Sequence, residues 1–306
     1  MPPALSHPLA AAPGTTVIHN VPVRPDEAEA AAALPLHHRF TLGQQITGTQ
    51  AAFFARHGFL VFAGVARRDE LDAILGALDE VQARWIREQR TKINGIPLFV
   101  GKDPDGKPFI QRFTFTSMFS DALRAFVLDP RFEPVRQMVG AEARVGHDEH
   151  DGVVINRYIN VPGSVYPRLG WHTDGLRDLA YLRRPQAMFN VGLHFDAISA
   201  ADGGLRLIPG SHTQGLWDMA FRKLYFLDHR PDPAEIAVET QPGDLTVHDG
   251  RLWHRVAQSP HTGWRSLRRS MYVPYQTGPL ATKTDDSPTP IYHSIGRALR
   301  WFKRRG

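Results

Sequence analysis

The chain has 306 residues, 36 Lys and Arg against 31 Asp and Glu, 15 His and no Cys, and 42% of it is hydrophobic, an ordinary globular composition. Without thiols it holds no disulfide, thiolate metal site or cysteine nucleophile, so any metal site must be built from His and carboxylate, which suits Fe(II), Mn or Zn. The whole formal excess of +5 is matched by Arg297, Arg300, Lys303, Arg304 and Arg305 in the last ten residues, leaving a near-neutral body without the basic stripe that nucleic-acid binding needs.

Residues 1–45 read as an N-terminal arm, partly disordered. Its Ala- and Pro-rich start lacks the charged and apolar regions of a signal peptide, no apolar run reaches the 18 or so residues of a membrane span, and a cytoplasmic location is the expectation. A single domain is expected over residues 46–278. TGTQAAFFARHG reads as a short amphipathic helix ending at Gly58, and FLVFAG as a buried strand. Leu71, Ile74, Leu75, Leu78, Val81, Trp85 and Ile86 then recur at helical spacing behind Asp69, Glu70 and Asp72, acids that favour a helix start. Past residue 92 the pattern changes to short strands: FIQRFTFTS after a DPDG turn, then VVINRYINV, MFNVGLHFDA, LRLIPG, GDLTVHDG and RRSMYVPY, with one helical stretch near 121–139. Short strands between Gly and Pro turns predict a mainly β fold, an antiparallel barrel or jelly roll with helices packed outside it. Residues 279–306 form a C-terminal extension. There Ile291, Ile295, Leu299 and Phe302 share one face of a basic amphipathic helix, read as docked on the barrel, with contact to a membrane surface as the second reading.

A His and a carboxylate two residues apart on an extended segment point to the same side, and with a distant second His they make the facial triad of non-haem iron sites. Two such pairs occur, His172/Asp174 and His194/Asp196. WHTDG follows a strand and leads into a turn, so its side chains can reach the mouth of a barrel. His194 sits inside an alternating strand, with Val191, Leu193 and Phe195, and reads as a barrel-lining residue. GHDEHDG, from His147 to Gly152, looks metal-like as text, but consecutive acids and histidines before a strand read as a solvated loop.

GWHTDG, DGGLRLIPGSH, PGDLTVHDGRLWHR and RRSMYVPY stand in that order behind HGFLVFAGVARRDELDAIL. Together they resemble the phytanoyl-CoA dioxygenase family, Fe(II)- and 2-oxoglutarate-dependent oxygenases, over roughly residues 45–278. The resemblance implies a double-stranded β-helix, the cupin-like jelly roll. It implies His172 and Asp174 as the first two iron ligands and His254 as the third, with His248 and His261 as decoys, His248 packing behind the ligands and His212 structural or pocket-lining. Arg268-Arg269-Ser270 resembles the Arg-x-Ser that meets the far carboxylate of 2-oxoglutarate, Arg268 and Ser270 sharing one strand face and Arg269 the other. Fourteen residues separate His254 from Arg268, slightly long for the family, and Arg265 is the alternative. VVINRYINV lies beside the co-substrate in this family, which makes Asn156, Tyr158 and Asn160 candidates for contacting it. The implied cofactors are Fe(II), 2-oxoglutarate as co-substrate and O2, with release of succinate and CO2. An aspartate at position 174 favours hydroxylation, because the related halogenases carry Gly or Ala there.

Gln111, Arg112, Thr114, Arg177 and Arg251 are candidates for meeting a polar or anionic group of a small-molecule substrate. Two other readings stay open at this point. A cupin-like Zn or Mn lyase or isomerase would use the same ligands without needing Arg268. A non-catalytic jelly-roll binding protein would have no need of an intact ligand set.

Overall fold

A computed structural model describes residues 21–175 and 186–290. Within the N-terminal arm, read as partly disordered over residues 1–45, the described part holds helix α1 (Pro25–Ala33), opened by Pro25 with Asp26 and Glu27 in its first turn, where the helix dipole favours them. It packs on α2 (Gly48–His57). Thr47 and Gln50 cap α2 reciprocally, and the helix stops at Gly58 with φ 79°, the left-handed ending a glycine permits. Strand β1 (Phe59–Phe62) follows, buried throughout. In α3 (Arg68–Arg87), Leu71, Ile74, Leu78, Val81 and Trp85 form the buried stripe that their spacing predicts.

Two short strands, β2 (Lys92–Ile93) and β3 (Ile96–Pro97), make a separate hairpin, and β4 (Phe99–Lys102) pairs with β5 (Pro108–Phe113). The expected helical stretch 121–139 is divided. After α4 (Thr116–Phe119) come α5 (Asp121–Val127), one turn at Pro130–Phe132 and α6 (Glu133–Val139), because Pro130 has no N–H to continue the ladder of α5. The remaining strands are β6 (Arg144–Val145), β7 (Val154–Asn160), β8 (Leu169–His172), β9 (Met188–His194), β10 (Gly204–Leu207), β11 (Ile236–Ala237), β12 (Leu245–Asp249), β13 (His254–Ala257) and β14 (Gly263–Gln276).

The larger sheet runs β1-β12-β9-β14-β7-β5-β4, with β6 beside β14, and the smaller runs β11-β10-β13-β8. Neighbouring strands are antiparallel. This is the expected jelly roll, with a difference: among the described residues the two sheets share no strand and do not close into one barrel. They meet face to face, since side chains from β7, β9 and β14 line one cavity together with side chains from β8 and β13. Strand alternation then divides β7. Asn156 and Tyr158 face the cavity, while Ile155 joins the core and Arg157 reaches the underside of α3. There its guanidinium lies 3.7 Å from the Phe109 ring and donates to the Ile110 carbonyl and to Gln82. Among the described residues no helix is long and apolar enough to cross a membrane. Arg177 and the C-terminal helix read at Ile291–Phe302 lie outside the described residues.

Candidate metal centre

His172 ends β8 and His254 begins β13, and the two stand directly opposite across that antiparallel pair, their ring centroids 4.0 Å apart. Asp174 comes where the chain leaves β8, at a turn pinned by the Gly175 N–H donating to the Gly250 carbonyl at 2.8 Å. His172, Asp174 and His254 each offer one ligand atom within 4.8 Å of the others, and all three are buried. Gly170 precedes them for a steric reason: a Cβ there would lie 2.4 Å from the Phe226 carbonyl oxygen. That close approach lets Phe226 and Asp228 bond to the backbone of Trp171 and brings the Phe226 ring to 4.8 Å from the His172 ring.

Both imidazoles are oriented alike. His172 Nδ1 lies 2.9 Å from the Gly170 carbonyl and His254 Nδ1 3.0 Å from the Leu252 carbonyl. A carbonyl only accepts, so Nδ1 carries the proton and Nε2 keeps its lone pair for a cation. Asp174 Oδ2 accepts from Asn190 Nδ2 at 2.9 Å, which fixes the carboxylate. Two imidazole nitrogens and one carboxylate, converging on one point and out of bulk water, form a donor set that fits Fe(II).

His248 on β12 stands opposite Asn190 on β9. Its Nε2 is 4.0 Å from Asp174 Oδ2 and its ring 4.6 Å from that of His254. Burial, and then the neighbouring His254, push its pKa down to about 3, so the ring packs behind the ligands as a neutral group. Neither of its ring nitrogens has a hydrogen-bond partner among the described residues.

Two cavities adjoin one another, sharing part of their walls. The first is lined by the three converging residues with Asn156, Tyr158 and Tyr272 among others. The second shares Tyr158, Val256 and Tyr272 with it and adds Arg268, Ser270, His194 and Thr240. Arg268 is buried, donates to the carbonyls of Ala257 and Pro167 and lies 5.7 Å over the Tyr158 ring. Burial pushes its pKa down to about 10, which leaves it a cation at neutral pH. Arg265 is exposed. Arg269, which also borders the second cavity, pairs with Asp196 at 2.6 Å, so the second His-x-Asp pair is divided: His194 lines that cavity, its Nε2 3.0 Å from Thr246 Oγ1, while Asp196 is held by Arg269.

The structure does not bring every candidate to the centre. Asn156 lines the first cavity with a buried Oδ1 that has no hydrogen-bond partner among the described residues. Asn160 lines neither: its amide donates to the Ser259 and His261 carbonyls and accepts from Gln258, bracing the turn before β14. Gln111 is spent on Ser164 and on the N–H groups of Val165 and Tyr166, and Arg251 pairs with Asp249. Thr114 is buried away from both cavities, His212 contacts the Ala55 carbonyl and His261 contacts Asp202. The loop read as solvated, GHDEHDG, is half-buried instead: Glu149 pairs with Arg144 and Asp151 with Arg112. Sequence reasoning missed Asn190, Phe226 and Asp151, because each reaches the centre through cross-strand or loop contacts that have no spacing in the chain.

The sequence pattern of the family described as phytanoyl-CoA dioxygenase (PhyH) matches residues 54–265. Solved structures share the fold at low identity. EctD from S. alaskensis, with 2-oxoglutarate and 5-hydroxyectoine, is 18% identical with a TM-score of 0.57, covering 84% of this chain and 87% of its own. SnoK, a non-heme alpha ketoglutarate dependent carbocyclase from nogalamycin biosynthesis, is 17% identical with a TM-score of 0.56 over 85% of this chain and 94% of its own. EvdMO1 is 17% identical with a TM-score of 0.54 over 76% of this chain, which spans 50% of the EvdMO1 chain.

Proposed function

The chain belongs to the phytanoyl-CoA dioxygenase family of Fe(II)- and 2-oxoglutarate-dependent oxygenases, and we propose that it hydroxylates an unactivated C–H bond of a small metabolite or natural-product intermediate, releasing succinate and CO2. The observation that carries this reading is the convergence of His172, Asp174 and His254 within 4.8 Å, beside a second cavity that holds a buried arginine. In this reading Nε2 of His172, Nε2 of His254 and the Asp174 carboxylate would hold the metal. Bound there, the metal with 2-oxoglutarate would supply the activation of O2. Arg268 takes the far carboxylate of the co-substrate with its two-pronged guanidinium, and Ser270, on the same strand face, adds a hydroxyl. Phe226 covers one side of His172 and keeps water from it. EctD was captured with 5-hydroxyectoine and SnoK is a carbocyclase, so the shared fold does not choose the outcome. Asp174 supports hydroxylation, since its carboxylate fills the position a halide would need.

The test is calorimetry with Mn(II) and 2-oxoglutarate in the absence of O2, followed by succinate release with Fe(II). Wild type is expected to bind 2-oxoglutarate only when metal-loaded, His172→Ala to lose the metal, and Arg268→Met to keep the metal while losing the co-substrate. Unchanged metal binding in His172→Ala would sink the reading. Metal-loaded protein that ignores 2-oxoglutarate would instead favour a metal-dependent lyase or isomerase.

A further inference from the structure

We infer that His248 is a positioning residue for the metal: its ring N–H donates to the Asp174 carboxylate once the cation is held, so that His248 and Asn190 brace one ligand together. This rests on the metal-centre reading above and not on the choice of reaction. Five histidines are buried among the described residues: His172, His194, His212, His248 and His254. Four of them place a ring nitrogen 2.9–3.1 Å from a hydrogen-bond partner. His248, 1% exposed, has no partner for either nitrogen among the described residues. A neutral imidazole always carries one N–H. Burying that donor without an acceptor costs stability that an apolar side chain of similar size would not lose. Packing alone therefore does not account for a histidine here.

The geometry gives the N–H a destination. His248 Nε2 lies 4.0 Å from Asp174 Oδ2, about 1 Å beyond a hydrogen bond. Asn190 Nδ2 already donates to that same oxygen at 2.9 Å. His248 on β12 stands directly opposite Asn190 on β9, and side chains directly opposite on an antiparallel pair share a face. The imidazole and the amide thus approach the carboxylate side by side. Thr246, two residues back on the same face of β12, is engaged by His194. The backbone holds the carboxylate over its donors: Gly250, just past β12, donates to the Met188 carbonyl at the start of β9 and accepts from the Gly175 N–H, each at 2.8 Å. The turn that carries Asp174 is fastened in this way to the two strands that carry Asn190 and His248.

A carboxylate offers about four lone-pair directions. With a cation on one of them, Asn190 and His248 take two more and stop the group from swinging round to grip the metal through both oxygens. A site of three protein ligands depends on that restraint, because its remaining positions must stay open. The same oxygen is 3.8 Å from His254 Nε2, and the His254 ring is 4.6 Å from that of His248, so a small movement of Asp174 serves both contacts.

The experiment uses the full chain, metal-free and with Mn(II), in the absence of 2-oxoglutarate. Metal-free protein is unfolded in urea, and Mn(II) affinity is read by calorimetry. His248→Leu is expected to unfold at the same urea concentration as wild type or a higher one, because it removes an unsatisfied buried donor. The same variant is expected to raise the Kd for Mn(II) about tenfold or more, the effect of losing a support behind a ligand. His248→Gln, which keeps an N–H of similar reach, is expected to recover most of that affinity. An unchanged Kd in His248→Leu would overturn the inference, and so would a Kd raised as far in His248→Gln, which would make the residue a matter of shape. Metal-free His248→Leu that unfolds earlier, in step with weaker binding, would overturn it too, by making His248 a support of the fold. Failure of the oxygenase reading looks different: the effects of both variants on Mn(II) would stand while metal-loaded wild type ignored 2-oxoglutarate.

Discussion

Each imidazole at the centre is aimed by a carbonyl of its own strand, Gly170 for His172 and Leu252 for His254, and the carboxylate is aimed by Asn190. Removing such a support typically weakens metal binding 10–100-fold. Asn190→Ala is therefore expected to raise the Kd for Mn(II) by about that factor in calorimetry, with secondary structure unchanged. His194 makes a separate, pH-dependent prediction. Burial holds its pKa at about 4, against 6.5 in the unfolded chain. Between those values the unfolded chain takes up a proton that the folded protein refuses, so stability rises with pH, is complete above 6.5 and drains away as pH falls toward 4. The shift corresponds to roughly 3 kcal/mol. His194→Gln should remove that much of the stability difference between pH 7 and pH 4 in urea unfolding (the pH range set by this window). An unchanged slope would contradict it.

At the scale of elements, what can be read along the chain is what is periodic. The buried stripe of α3 and the reciprocal cap of α2 lie where the residues predict them, because those signals concern neighbours three and four residues apart. Lengths are less legible. β14 spans fourteen residues, longer than its RRSMYVPY core, because it pairs with β6, β7 and β9, and pairing extends a strand beyond its own pattern. The seam between α3 and the larger sheet depends on Arg157. Its charge is buried, its pKa pushed down to about 9 by desolvation, and it is held by the Phe109 ring, Gln82 and the Ile110 carbonyl. Arg157→Ala removes a desolvated cation–π contact and charged hydrogen bonds, a loss of about 3 kcal/mol. Chemical denaturation should show that loss while the Kd for Mn(II) stays at the wild-type value.

At the scale of the molecule, the chain just before α2 is tied to the larger sheet. Arg39 pairs with Asp244, a fully buried carboxylate that also accepts from the N–H groups of Gly64 and Gln241. Phe40 bridges β1 at Phe62. Nothing in the composition of residues 1–45 announces this, since the partner of Arg39 lies 205 residues away. Removing one partner of a buried charge exposes the other's desolvation cost, about 1–3 kcal/mol. Arg39→Ala is expected to lower the unfolding free energy by that amount, and an effect near zero would show that Asp244 is held by its backbone donors alone.

By itself the sequence determined the donor chemistry, the strand-rich architecture and the residues that converge. A cysteine-free chain must use His and carboxylate, and four ordered motifs, through their resemblance to the family, imply His172, Asp174 and His254. Only the tertiary structure decided which neighbours surround them. Arg268 and not Arg265 is buried beside the centre, Asn156 and not Asn160 lines the cavity, and Arg112 and not Gln111 enters it. Periodicity fixes which face of a strand a side chain takes relative to its own neighbours in the chain. Which faces meet depends on two sheets packing across hundreds of residues, and that information is carried by no local spacing.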